Sequence, residues 1–342
     1  MPNPARISAT IDVLLEAAAG PARVGDLMVG GVSRGRLRSA LASGQLMALR
    51  RGVVIPRVRW SQASADERSR WAAEAALLAF PGSFASHATA AWLQGLPDYR
   101  LGGGDIDGVP MTHITRIGSA RTEGWLRVHG CDTPPHHVCD IRGISSTDLV
   151  RTSIELAADR SLATAVVFLD AGFRRAALNE HGERSLRDAV LQVGVRSALG
   201  RRWDAGIGPY ARHRWVTRVR AALALADPAA ESVLESLSRV AIHDWGIPAP
   251  RCGVPLVGDN NATYWVDMYW DEFRLIGEAD GDIKYSDAAA LLSEKRRQEA
   301  LEARGFRFVR WGWREVVPDS EVLARRIRHA MATPPPRRRE WS

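Results

Sequence analysis

The stretch from Thr263 to Asp280 constrains the fold of this chain more than any other, because it sets acidic residues within two apolar strand patterns. The segment from Thr263 to Trp270 is rich in aromatic and β-branched residues, which favour strands, and it contains Asp267. A tight Trp-Asp-Glu connection leads into a second strand pattern that contains Glu278. We therefore predict two adjacent antiparallel strands that bring Asp267 and Glu278 together.

Further carboxylates are expected at the same end of this hairpin. The two-residue period of a strand places Glu278 and Asp280 on one side. A helix that opens at Glu231 carries Glu235 four residues later, on the same helical face, so that Glu235 can approach the strands. Clustered carboxylates repel one another unless a cation lies among them, and a ligand set of oxygens alone favours Mg²⁺ or Mn²⁺.

Basic residues follow the acidic hairpin. Lys284 comes shortly after it, and a helix predicted from Ala288 to Arg304 carries Glu294 and Arg297, three residues apart. A third strand, predicted from Phe306 to Trp311, ends just before Arg314.

The order of these elements resembles the very-short-patch-repair-endonuclease-like domain, a branch of the PD-(D/E)xK restriction-endonuclease superfamily. That family has Val-Asp, then Glu-x-Asp-Gly-x-x-His, then an acid and an arginine three apart on the next helix. Here Asp267 follows Val266, and Glu278 opens Glu-Ala-Asp-Gly. Lys284 replaces the usual histidine, and Asp280 occupies the position of the superfamily's signature lysine, as it does throughout this branch.

The resemblance implies metal-assisted hydrolysis of phosphodiester bonds. Asp267, Glu278 and Glu235 would hold the cation, Glu235 through water, and Asp280 would be a further ligand or support one. Lys284 would orient the attacking water or offset developing negative charge. Because lysine has an unperturbed pKa of about 10.4, it is a poorer base near neutral pH than histidine. A site that no longer hydrolyses DNA and only binds it is therefore the alternative.

The acidic positions also have a simpler interpretation. Acids at strand ends occur as surface residues, and Glu235 could pair with Arg239 one helical turn away. We favour the nuclease-like domain because all the acids and the basic helix occur in family order.

The N-terminal region is predicted to be a winged helix. Ser33 can cap a helix from Arg34 to Ser43 whose inward face is Leu37 and Leu41, and Gly44 ends it. Two short apolar strands joined by Arg-Arg-Gly follow, which is typical of a β-wing. This arrangement places a recognition helix in the major groove and a wing arginine on the backbone. The predicted DNA contacts are Arg34, Arg36, Arg38, Arg50 and Arg51, together with Arg297 and Arg314 near the acidic hairpin.

This N-terminal stretch resembles the winged-helix domain of AbiEi-type antitoxins, and the α/β region after it resembles the domain attached to such winged helices. A solvated basic helix is the alternative for the arginine-bearing segment. The net charge of +7 favours a polyanionic partner. Three scattered cysteines argue against a disulfide framework, and no apolar run is long enough to cross a membrane. We therefore expect a cytoplasmic protein that can associate with the nucleoid and does not bind a membrane.

The predicted fold class is an α+β multidomain protein with a winged helix, a central α/β domain and a restriction-endonuclease-like α/β domain whose mixed sheet is flanked by helices. The predicted function is a metal-dependent DNA endonuclease or nickase in phage defence or DNA repair. The alternative is a transcriptional repressor or antitoxin with an inactive nuclease-like domain. Candidate partners besides DNA are a cognate toxin, a defence-system protein or a second copy. The predicted domains are 1–60 (winged helix), 61–180 (central), 181–226 (basic helical connector), 227–331 (nuclease-like) and 332–342 (disordered basic tail).

Overall fold

The computed structural model describes residues 20–101, 104–158, 160–281 and 288–333. These residues form two compact units, one that ends at Thr152 and one that begins at Ser153. Both units contain helices and sheets, so the coarse prediction of a mixed α/β, multidomain chain is confirmed. The finer division into five segments stays a prediction. No helix within the described ranges is both long and apolar enough to cross a bilayer.

From residue 20 onward, where its description starts, the first unit contains a helix pair followed by a hairpin. Its first elements are β1 (Ala22–Arg23), α1 (Val24–Val29), α2 (Arg34–Ala42), β2 (Leu46–Arg50) and β3 (Val53–Pro56). The three strands form an antiparallel sheet in the order β1-β3-β2.

The predicted arginine-bearing helix is present, and its capping residue is the predicted one. Ser33 Oγ accepts a hydrogen bond from the backbone N–H of Arg36 at 3.4 Å. Gly44 follows the helix with a φ of +75°, a conformation that favours glycine. Leu37 is buried as predicted, whereas the prediction that Leu41 faces inward is wrong: Leu41 is 37% exposed, and Ala40 packs in the core instead.

The rest of the first unit is built on a six-stranded sheet in the order β10-β11-β4-β7-β9-β8. The sheet is mixed, because β4–β11 and β7–β9 are parallel pairs and the other neighbours are antiparallel. The elements of this part of the unit are α3 (Arg57–Gln62), α4 (Ala65–Ala79), β4 (Phe84–Ala85), α5 (His87–Leu93), β5 (Asp105–Ile106), β6 (Val109–Pro110), β7 (Thr112–Arg116), β8 (Arg121–Glu123), β9 (Leu126–Gly130), β10 (Val138–Ile141) and β11 (Ile144–Thr147). Strands β5 and β6 pair with each other in a separate two-stranded sheet.

The hairpin β2–β3 does not have a core of its own. Leu49, Val53 and Ile55 belong to one buried cluster with Trp71 of α4 and Leu126 of β9. The other hairpin face packs on α1 and α2 through a second cluster. The hairpin therefore joins the N-terminal helices to the larger sheet of the same unit.

The second unit contains a helical region followed by a four-stranded sheet. The unit boundary lies within α6 (Leu149–Ala158), and the remaining elements are α7 (Leu162–His181), α8 (Leu186–Ala189), α9 (Val193–Ile207), α10 (Val216–Leu225), α11 (Val233–Asp244), β12 (Arg251–Val257), β13 (Thr263–Trp270), β14 (Leu275–Ala279), α12 (Ala288–Ala303), β15 (Arg307–Trp311) and α13 (Glu321–Ala332). The strand order is β12-β13-β14-β15, with β14 and β15 parallel and the other pairs antiparallel.

Strand β12 was not predicted from the sequence, because Pro255 and Gly253 interrupt its apolar pattern. Proline removes a backbone donor and is therefore confined mainly to edge strands, which is where β12 lies. On β14, a side chain at Gly277 would collide with the indoles of Trp311 and Trp270, at 2.6 and 2.9 Å from an ideal Cβ. This glycine lets two large rings cover the strand.

Candidate functional site

The strands β13 and β14 bring two of the predicted acids together. Met268 and Gly277 are paired in the antiparallel register, so the next positions, Asp267 and Glu278, also face each other. The backbone N–H of Ala279 donates to Asp267 Oδ2 at 3.0 Å. The predicted hairpin is thus present, and its acids lie at the same end.

Glu235 reaches this place from the first turn of α11. Ser232 caps the helix by accepting a hydrogen bond from the N–H of Glu235 at 3.1 Å. The side chain of Glu235 is buried and accepts from the backbone N–H of Glu231 at 2.9 Å. Glu231 itself precedes the helix, which begins at Val233 rather than at the predicted residue.

The half-buried Asp267 and the buried Glu235 form an acidic pair. Burial raises the pKa of Asp267 to about 7, and the nearby charge of Glu235 adds to this, while the hydrogen bond from Ala279 opposes it. Burial also raises the pKa of Glu235. Both side chains line a small cavity of about 40 Å³. Strongly shifted carboxyl pKa values beside a cavity are typical of functional sites.

Two arginines line the same cavity and are held by Glu231. Arg174 Nη2 lies 2.8 Å from Glu231 Oε1, and Arg187 Nε lies 3.2 Å from the same oxygen. The Arg187 guanidinium also lies 5.6 Å from the centre of the Trp265 ring. The cavity is therefore lined both by the acidic pair and by two arginines whose charges are compensated by Glu231.

Glu278 lies in different surroundings, because arginines face both of its oxygens. Arg310 Nε donates to Oε2 at 2.8 Å, and Arg297 Nη2 lies 2.6 Å from Oε1. Arg297 Nη2 also donates to the carbonyl oxygen of Trp265 at 2.9 Å, so the same nitrogen contacts both the backbone of β13 and the Glu278 carboxylate. The Glu278 side chain is only 5% exposed.

The ion pairs extend to two further acids. Arg297 Nη1 and Arg310 Nη2 both donate to Glu294 Oε1, at 3.0 and 2.7 Å. Asp280 lies 3.7 Å from Arg310 Nε, and burial, followed by the charge of Glu278, raises its pKa. Arg310 was not among the predicted site residues. The parallel pairing of Glu278 with Arg310 across β14 and β15 brings them together, and sequence spacing does not indicate it.

The predicted Mg²⁺ or Mn²⁺ site would lie among Asp267, Glu278 and Glu235. The donors have suitable chemistry, since carboxylate oxygens are the ligands both ions prefer. Their arrangement does not suit an ion held by three acids. Arg297 and Arg310 occupy the surroundings of Glu278, and within the described residues no three His, Cys, Asp or Glu side chains are arranged to hold a metal. The metal prediction therefore rests on Glu235 and Asp267.

Three further residues were predicted to act near the acids: Lys284, Arg297 and Arg314. Lys284 lies outside the described residues. Arg314 is exposed on a short 3₁₀ helix beyond β15. Arg297, predicted to contact phosphate, is engaged with Glu278 and Glu294.

The predicted DNA-contacting arginines of the first unit separate into two groups. Arg34 and Arg38 are exposed on α2, Arg36 is half-buried there, and Arg51 is exposed at the hairpin turn. Over the described ranges, none of these four forms an ion pair with an acid. Arg50 differs, because its guanidinium forms an ion pair with Glu123 and lies 5.7 Å from the ring centre of Trp125.

Comparisons with known proteins leave the family open. No protein-family model matches the chain. A segment of 123 residues is 28% identical to "Uncharacterized protein MT2308" of Mycobacterium tuberculosis strain CDC 1551 / Oshkosh, and equally to "Uncharacterized protein Rv2248" of strain ATCC 25618 / H37Rv. That segment is 35% of this chain and 45% of either relative, so the chain spans less than half the length of the curated relatives it matches.

Among solved structures, the chain is similar to the crystal structure of the RV2827C protein from Mycobacterium tuberculosis. The TM-score is 0.37 at 15% sequence identity, over 65% of this chain and 82% of that one. A similarity at this level does not establish a common fold.

Proposed function

We propose that this chain is a DNA-binding protein of the transcriptional repressor or antitoxin class. In this proposal α1, α2 and the hairpin β2–β3 form a winged helix, and the second unit contains a nuclease-like domain that does not cut DNA in the described conformation. The supporting observation is the surface of α2, where Arg34 and Arg38 are exposed and no acid of the described residues pairs with them. Exposed guanidinium groups are available to phosphates and to guanine edges.

The hairpin supports the same proposal. Its turn carries the exposed Arg51, next to Gly52 with a φ of +79°. A recognition helix followed by a wing with a basic turn is the arrangement by which winged helices contact the major groove and the neighbouring backbone.

Binding of duplex DNA in the presence of EDTA tests this function. Fluorescence anisotropy with a labelled duplex from upstream of the chain's own reading frame should show saturable binding. The double variant Arg34→Ala/Arg38→Ala should bind about tenfold or more weakly, as expected for the loss of two contacts to phosphate or base. Arg127→Ala is a matched control, since Arg127 is an exposed arginine on β9 of the same unit. Wild-type affinity in the double variant would contradict the winged-helix assignment.

A second candidate function is metal-dependent hydrolysis of DNA. The observation that favours it is the acidic pair Asp267 and Glu235, in which the pKa of Asp267 is raised to about 7 first by its partial burial and then by the charge of Glu235. Carboxylates held in this way are typical of sites that gain a cation or a proton on binding. Because Glu278 is paired with two arginines, this function requires a conformation other than the described one.

Plasmid cleavage separates the two candidates. Supercoiled DNA is incubated with the full chain in Mg²⁺, in Mn²⁺ and in EDTA, alongside the variants Asp267→Asn and Glu278→Gln. Cleavage that needs metal and is lost in both variants, while their anisotropy-measured DNA binding persists, supports the nuclease. Intact plasmid under every condition, with tight DNA binding, supports the repressor or antitoxin.

A further inference from the structure

A cavity of about 420 Å³ lies in the first unit, apart from the acidic pair and the arginines of α2. It is bounded by α4, α5, the segment that follows α5 and the beginning of β7. Its volume falls within the range of small-molecule sites, about 300 to 1,000 Å³. Neither of the proposed functions uses it.

The walls of the cavity are mainly apolar. Trp92 and Leu96 line it from α5 and the turn after it, and Leu101, Pro110 and Met111 complete this surface. The indole N–H of Trp92 donates to Asp66 Oδ1 at 3.4 Å. An exposed acid thus holds the ring of Trp92 in its orientation, and the ring face is available to an apolar group of similar size.

The charged groups in the lining favour a cation. Asp98 and Asp105 line the cavity and are both exposed. Arg68 also lines it, but its Nε and Nη2 groups donate to the backbone carbonyls of Trp60 and Ser61 at 3.1 and 3.2 Å. Asp98 and Asp105 therefore bring two negative charges to the lining, against one guanidinium that is already bound to backbone oxygens, and an anionic ligand would meet net repulsion.

We propose that this cavity binds a small organic cation, with an apolar body against Trp92, Leu96 and Met111 and a positive group near Asp98 and Asp105. The apolar walls supply most of the affinity, because burial of apolar surface is the main favourable contribution. The carboxylates supply selectivity for charge, because at a partly exposed rim they attract a cation weakly and repel an anion by a similar amount, and the difference between the two ligands is the sum of both effects.

A pair of probes with the same shape and opposite charge tests this proposal. Tetraphenylphosphonium and tetraphenylborate are titrated separately into the full chain by isothermal titration calorimetry. The cation should bind saturably, and the anion should bind at least about tenfold more weakly at the same site. Equal affinities, or no saturable binding of the cation up to about 1 mM, would overturn the proposal.

Variants distinguish the cavity from adsorption elsewhere. Met111→Trp fills the cavity and should lower the affinity for the cation by at least about tenfold. The exposed pair Asp98→Asn/Asp105→Asn should lower it about three- to fivefold without affecting folding, and the equally exposed Asp132→Asn, outside the lining, should leave it unchanged. Circular dichroism melting checks that Met111→Trp is folded. Wild-type affinity in either cavity variant would contradict the proposed site.

Discussion

The arginines of α2 and the arginines around Glu278 have the same chemistry but opposite surroundings. Arg34 and Arg38 are exposed, and the described part of the chain provides no acid that pairs with them. Arg297 and Arg310 have side chains that are 20% and 31% exposed, and both contact the buried Glu278. An exposed arginine can neutralise a phosphate directly. An arginine that compensates a buried carboxylate can bind a phosphate only after it breaks that ion pair, which leaves the buried carboxylate without its counterion. The comparison shows that the presence or absence of an acidic partner, rather than the residue type, distinguishes arginines that are available to a ligand from arginines that compensate a buried acid.

The largest expected effect is on stability. Arg297→Ala removes one of the two positive charges beside the buried Glu278 and should lower the free energy of unfolding by about 4 kcal/mol. Arg34→Ala, at an exposed position, should change the free energy of unfolding by less than about 0.5 kcal/mol. Urea unfolding monitored by tryptophan fluorescence measures both. The double variant Arg297→Ala/Glu278→Gln should recover part of the loss, because a neutral amide needs no counterion. Equal effects of Arg297→Ala and Arg34→Ala would remove the distinction between the two arginine groups.

The second effect is a pH dependence. Burial, followed by the charge of Glu235, raises the pKa of Asp267 to about 7 from an ordinary value of 3.8, so the folded chain binds this proton more tightly than the unfolded chain. The free energy of unfolding should therefore fall as the pH rises from about 4 to about 7, and the loss should be complete above that range. Asp267→Asn should remove this dependence and be more stable than the wild type at pH 8 by on the order of 2 kcal/mol.

The control for this pH dependence is Asp259→Asn, which changes an exposed acid in the same unit. Its unfolding free energy should follow the wild-type pH profile. If Asp267→Asn follows that profile as well, the ionisation of Asp267 beside Glu235 does not lower the free energy of unfolding as expected.

The third effect is on the salt dependence of the proposed DNA binding. Each phosphate contact contributes about 0.9 to the slope of log K against log salt concentration, so Arg34→Ala/Arg38→Ala should reduce the slope by up to about 1.8. Anisotropy titrations at several salt concentrations provide the slopes. Arg310→Lys, which preserves the charge beside Glu278, should leave the slope unchanged. A larger slope change in Arg310→Lys than in the α2 variant would reverse the roles assigned to the two groups.

The smallest effects concern the helix caps. Ser33→Ala removes a long, exposed capping bond at α2 and should cost about 0.5 kcal/mol. Ser232→Ala removes the cap at α11, where the N–H donor belongs to the buried Glu235, and should cost about 1 kcal/mol. Urea unfolding of the two variants gives the difference. A cost for Ser33→Ala that exceeds the cost for Ser232→Ala would show that burial does not decide the strength of these caps.

Much of the local structure could be predicted from the sequence. Aromatic and β-branched residues over Thr263–Trp270 indicated β13, Ser33 indicated the start of α2, and the hairpin brought Asp267 and Glu278 to the same end as expected. These features depend on periodicity, capping and adjacent strands, and such information lies within a few residues along the chain. The edge strand β12 was missed, because its tolerance for Pro255 depends on its place in the sheet.

The sequence by itself determined which residues could carry charge, and its local patterns indicated elements such as α2 and β13. Only the tertiary structure decided which charges compensate one another. Arg310 lies 32 residues from Glu278 along the chain but next to it across two parallel strands, and Arg50 is paired with Glu123 across the first unit. The physical reason is that electrostatic energy depends on distance and burial, which are set by packing between segments far apart in the sequence.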